Sequence, residues 1–137
     1  MKRILIIDGQ GGGIGRTLIE KIRLEQLNGV ELIAVGTNAL ATSQMLRAGA
    51  DAGASGESAV IWNCRQADII VGAIGIIAAG SMMGELSPAM AEAIGSSPAV
   101  KILIPLNKCH LQVAGLSDEP LPVRIDQAVE LIRQHLT

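Results

Sequence analysis

Residues 3–15 constrain the fold more than any other part of the chain. Arg3-Ile4-Leu5-Ile6-Ile7 is a short apolar run that leads straight into Asp8-Gly9-Gln10-Gly11-Gly12-Gly13-Ile14-Gly15, and apolar residues at helical spacing (Leu18, Ile22, Leu27) follow at once. A strand that feeds a glycine-rich turn and then a helix leaves the unpaired N–H groups of the helix N-terminus at the strand tip. Glycines there remove the Cβ atoms that would hold a phosphate away from the backbone amides. The order predicts a βα unit with an anion-accepting loop at Gly9–Gly15. The alternative is a tight turn whose glycines serve only close packing.

Strand and helix patterns alternate along the rest of the chain. Strands are predicted over 3–7, 31–35, 50–54, 68–72 and 101–106, and helices over 14–27, 39–48, 58–66, 88–95 and 122–136. Asn28-Gly29 reads as a helix stop, and Ser87-Pro88 as an N-cap followed by the first helical residue. Leu111 to Ala114 is read as an edge strand paired to 101–106. Near-continuous apolar strands separated by helices predict an α/β three-layer sandwich, a mostly parallel sheet with helices on both faces. Ligands in such sheets bind beyond the carboxyl ends of the strands. The segments to inspect are therefore Asp8–Gly15, Gly36–Asn38, Ser55–Glu57, Gly72–Gly75 and Asn107–His110.

At 137 residues the chain forms one domain, 1–137. Phe and Tyr are absent and Trp62 is the only aromatic residue, so no platform for stacking bases exists. A net charge of −2 supplies no basic footprint, and nucleic acid is not expected as a partner. No apolar run is long enough to span a membrane, and the first ends at Asp8, too short for a signal peptide. Two cysteines form no disulfide framework, which points to the cytoplasm. Mean hydropathy is nevertheless positive, +0.41. Together with the apolar stretch Ile74 to Met83, this predicts a homo-oligomer that hides apolar surface.

The loop spacing Gly9-x-x-x-Gly13-x-Gly15 resembles the fingerprint of short-chain dehydrogenases. The catalytic Tyr that this resemblance requires is missing, and the chain is too short for that family's sheet. A dinucleotide site also expects an acidic residue about 20 residues beyond the loop, on the ribose hydroxyls. The chain has Val35-Gly36-Thr37-Asn38 there, where Thr37 or Asn38 can bond a hydroxyl. Gly11-Gly12-Gly13-Ile14-Gly15-Arg16-Thr17 is similar to the loop of cytoskeletal-type ATPases, but Arg16 stands where a compact Lys charge is needed.

Asp8 has two readings: a cap on the loop's own amides, or a functional carboxylate acting as a general base or a metal-bridging ligand. Lys108 can bring charge to a phosphate, and Asp8 with Lys108 is the candidate acid–base pair of an enzyme. Adjacent Cys109 and His110 point to opposite faces of an extended segment and form no nucleophile–base pair. Neither has metal-ligand spacing, so no metal is expected. Ser81, Met82, Met83 and Glu85 belong to a small-residue loop that reads as helix packing, a dimer seam or a mobile lid.

Asp8–Gly15, Gly36–Thr42, Pro88–Ile94 and Ile104–Cys109 together resemble a family of small bacterial proteins classed only as a domain of unknown function. The resemblance covers nearly the whole chain and implies a Rossmann-like domain, with no activity attached. The residues themselves point to a phosphate-bearing small molecule, a nucleotide or NAD(P)-like dinucleotide. It would be held by Gly9, Gln10, Gly11, Gly12, Gly13, Ile14, Gly15, Thr37, Asn38 and Asn107. A small enzyme using Asp8 and Lys108, and an oligomeric interaction or sensor protein with a structural loop, are the alternatives.

Overall fold

The computed structural model describes residues 1–106 and 110–137. Five strands, β1 (Lys2–Asp8), β2 (Val30–Gly36), β3 (Ala52–Ser55), β4 (Ile69–Ala73) and β5 (Val100–Ile104), alternate with five helices. The helices are α1 (Gly13–Leu24), α2 (Ala39–Arg47), α3 (Glu57–Cys64), α4 (Pro88–Ser96) and α5 (Leu121–Leu136), and a 3₁₀ turn (Ile74–Ile77) follows β4. All strands are parallel, in the order β3-β2-β1-β4-β5. The chain thus winds outward from β1 to one edge, returns, and winds outward to the other.

The unbroken apolar run of β1 follows from burial on both faces. Ile4 and Ile6 pack into one core with Leu18, Ile19 and Ile22 of α1, Met45 of α2 and Ile125, Val129 and Ile132 of α5. Leu5 and Ile7 point the other way, to Val60 and Cys64 of α3 and Met90 and Ile94 of α4. All four strand residues are 0–1% exposed, and each contributes about 1.5–3 kcal/mol by leaving water. A one-residue slip would exchange the two sets.

Several element limits differ from expectation, among them β3, which runs Ala52–Ser55 rather than 50–54, and α3, which stops at Cys64 rather than Gln66. α1 ends at Leu24, before Asn28-Gly29, because Gln26 already turns left-handed at φ 51°. Strand β5 stops at Ile104, leaving Pro105 and Leu106 beyond the ladder. Leu111 to Ala114 forms no strand. Its last three residues are exposed, so it has no face to bury, and β5 remains a sheet edge. Among the described residues no helix is long and apolar enough to cross a membrane.

Candidate functional site

The order of strands reverses between β1 and β4, and their carboxyl ends part there to leave a cleft. Its volume is about 80 Å³, and it is lined by Asp8, Gly9, Gln10 and Ile14 on one side and by Ala73, Ile74 and Gly75 on the other, with Met82 and Leu106 closing it.

Asp8 ends β1 and is 7% exposed. Its Oδ1 accepts the Gly9 amide at 2.7 Å and its Oδ2 the Gly15 amide at 2.6 Å. Helix α1 needs this carboxylate. Its N-cap is Gly12, which has no side chain to offer, and its first turn carries no acidic residue. Asp8 therefore does from the strand what an N-cap aspartate does from the adjacent position. Burial pushes its carboxyl above the ordinary range of 3.8, while the amides of Gly15, Gly9 and Ile14 pull the other way and the negative charge of Glu85 adds to the rise. The capping role matches this geometry. No acidic or basic partner for proton transfer touches Asp8 among the described residues.

The loop glycines divide into two groups. A Cβ on Gly15 would lie 2.5 Å from Met45 Sδ, and one on Gly12, at φ 74°, would lie 2.9 Å from the Ala41 backbone. Those two are glycine so that α1 can pack against α2 and the strand tip. Gly11 and Gly13 are exposed, lie outside the left-handed region and have nothing within 4 Å of a Cβ position. Their amides have no acceptor among the described residues.

A residue that sequence reasoning left off the site closes its other side. Glu85 Oε1 accepts three hydrogen bonds: from the Gln10 amide at 2.8 Å, Thr37 Oγ1 at 2.6 Å and Asn38 Nδ2 at 2.9 Å. The Thr37 hydroxyl first, then the Gln10 amide and Asn38, hold its carboxyl below the ordinary range despite some burial. No local pattern in the sequence could have found it, since Glu85 lies 75 residues from Gln10 and 48 from Thr37. Asn38 also caps α2 through Oδ1 and the Ala41 amide, at 2.9 Å, and donates to the Gln10 carbonyl at 3.0 Å. Thr42 holds the preceding turn by accepting the Gly36 amide at 3.0 Å.

Met82 completes the cover: a Cβ on Gly9 would meet its Sδ at 2.5 Å and Thr37 Oγ1 at 2.5 Å. The predicted Gly9–Gly15 loop and Thr37–Asn38 are thus brought together, with the segment 81–86 across them. Asn107 and Lys108, the other proposed wall, lie outside the described residues, as does Cys109. His110 is exposed. Ser55 and Glu57 serve the framework instead, bonding to Thr42 and Ser87. Arg16 pairs with Glu20 at 3.6 Å on the exposed flank of α1. Cys64 is buried, which pushes its thiol up to about 11 and leaves no thiolate at neutral pH. Among the described residues no three His, Cys, Asp or Glu side chains group as a metal site.

Two solved structures share this arrangement of elements. The dodecameric FMN-dependent Ubix-like decarboxylase from Escherichia coli O157:H7 is 14% identical, with a TM-score of 0.52 over 97% of this chain and 94% of that one. AibC is also 14% identical, with a TM-score of 0.52 over 98% of this chain and 42% of that one. At such identity the likeness speaks of fold alone. A comparison with curated proteins found no match. A family profile does match almost every residue, 3–137, and the chain belongs to that family, described as Domain of unknown function (DUF3842).

Proposed function

We propose that the protein binds a phosphate-bearing small molecule, a nucleotide or dinucleotide, with its phosphate against the amides of Gly11 and Gly13. One observation carries this reading. Both residues are glycine where neither packing nor backbone conformation asks for it, and both sit at the N-terminus of α1 beside the switch-point cleft. Absence of a Cβ there serves close approach from outside. Ile14 and the β4 end, Ala73–Gly75, supply the apolar wall that the rest of such a ligand needs.

An acid–base role for Asp8 with Lys108 is not retained. Asp8 already receives amides on both oxygens. Asp8 instead orients the loop, and the protein acts as a binding module on this reading.

The test is a thermal-shift series with ATP, ADP, NAD, NADP, FMN and inorganic phosphate against wild type and Gly13→Val. A Cβ at Gly13 meets no atom of another segment within 4 Å, so the fold is expected to survive the substitution, which a circular dichroism spectrum checks, while the added methyls block the amides. Stabilisation of wild type by at least one compound, lost in Gly13→Val, is the expected result. A wild type that no compound stabilises, or equal shifts in both proteins, refutes the proposal and favours a purely structural loop.

A further inference from the structure

Glu85 reports on a site by occupying it. Its Oε1 is met by three groups that each donate: a backbone amide (Gln10), a hydroxyl (Thr37) and a carboxamide NH₂ (Asn38). Three converging donors form a receptor for an anionic oxygen. They come from the two strand tips, β1 and β2, between which a ligand on the glycine loop would extend. Glu85 itself arrives from a separate element, 75 residues beyond Gln10.

The segment that carries it has an anchored base and a strained tip. Ser81 Oγ donates to the Gly75 carbonyl at 2.5 Å, and Leu86 is fully buried. Gly80 donates to the Leu86 carbonyl at 2.8 Å, closing the base of the loop. Between these anchors Met82 and Met83 are both left-handed, at φ 58° and 56°, a region that side chains with a Cβ disfavour. Met83 is 96% exposed, so no packing holds it there. Backbone hydrogen bonds such as Gly84 N–H to the Gly80 carbonyl and Glu85 N–H to the Met82 carbonyl shape the tip, and the Glu85 carboxylate together with Met82, which lies over Gly9 and against the second core, holds it down. With the tip down the cleft is about 80 Å³, below the roughly 300–1,000 Å³ of small-molecule sites.

We propose that Gln10 N–H, Thr37 Oγ1 and Asn38 Nδ2 form a second oxyanion subsite that takes a phosphate oxygen of the ligand, and that Glu85 is its resident competitor, displaced when the ligand enters. This rests on the reading of the glycine loop as a phosphate site and extends it toward β2. A competitor on the protein lowers apparent affinity by the fraction of molecules in which the tip is up. Removing the carboxylate therefore tightens binding.

The experiment titrates inorganic phosphate and ADP into wild type, Glu85→Gln, Glu85→Ala and Glu85→Ala/Thr37→Val, by calorimetry and by the amide resonance of Gln10. Affinity for both probes should rise about tenfold or more in Glu85→Ala and less in Glu85→Gln, which keeps a neutral acceptor. The Gln10 amide should move on titration, and Thr37→Val should cancel the gain. Weaker binding in Glu85→Ala would make Glu85 a ligand-contacting residue and overturn the proposal. So would unchanged affinity, or a Gln10 amide that does not respond. The Gly13→Val arm separates the two readings. If ADP binds wild type and Gly13→Val abolishes it, the loop site stands and unchanged affinity in Glu85→Ala sinks only the subsite. If no protein in the series binds either probe, the subsite falls, and the loop reading falls with it only when no compound of the thermal-shift series stabilises wild type.

Discussion

Replacing Asp8 by alanine tests how the glycine loop is held in place. The change removes the acceptor of two amides, Gly9 at 2.7 Å and Gly15 at 2.6 Å, both on buried residues. Each buried amide left without an acceptor costs about 1–3 kcal/mol. Relief from burying a charge offsets part of this, since desolvation is the largest influence on the Asp8 carboxyl. A net loss of about 3 kcal/mol is expected on these magnitudes. Asp8→Asn keeps one acceptor and sheds the charge, and should lose less, about 1 kcal/mol.

The pH dependence has a definite sign. The folded-state value lies above 3.8, so the folded protein holds this proton more tightly than the unfolded chain does. The contribution of Asp8 is then full below 3.8 and declines as pH rises from there through the raised value. The gap between wild type and Asp8→Ala should accordingly be widest at acid pH and narrow toward neutrality. Urea unfolding followed by circular dichroism measures it, because Trp62 is 57% exposed and its fluorescence is a weak reporter. A loss in Asp8→Ala under about 0.5 kcal/mol, within the range of ordinary surface substitutions, would refute the capping role. A gap that widens with rising pH would refute the balance of burial over hydrogen bonding.

Two further outcomes are expected. Gly15→Ala drives a methyl to 2.5 Å from Met45 Sδ and 3.1 Å from Asp8 Cβ and should cost about 1–3 kcal/mol, whereas Gly13→Ala meets nothing and should be neutral or stabilising by up to about 1 kcal/mol; calorimetric melting temperatures compare the pair. The exposed apolar residues Trp62 (57%), Leu40 (59%) and Met83 (96%) fit a homo-oligomer, which sedimentation velocity at micromolar concentration should show, and a clean monomer would count against it.

The succession of elements was legible in the chain because strand and helix periods are local. Four consecutive apolar residues in β1, with Leu18 and Ile22 at helical spacing after the loop, are enough to place a doubly covered strand and an amphipathic helix. The Ser87 cap was equally local: it accepts the amide three positions on, Met90 at 3.2 Å. The edge strand at 111–114 failed for a non-local reason. An apolar residue such as Leu111 suits a strand only if a neighbour's ladder and a covering layer reach it.

The chemistry of the site divides along the same line. That a glycine-rich turn follows β1, and that no acid follows β2 at the ribose position, can be read from spacing. Which glycines are packed and which are open depends on where Met45 and Ala41 of α2 lie. Asp8 could be read as a cap or as a base until both its oxygens were located. Glu85 stands 48 residues from Thr37 and 75 from Gln10, and no local pattern relates such positions. They meet because strand order 3-2-1-4-5 puts the end of β4 beside the end of β1, so the chain leaving β4 crosses the glycine loop and carries a carboxylate onto it.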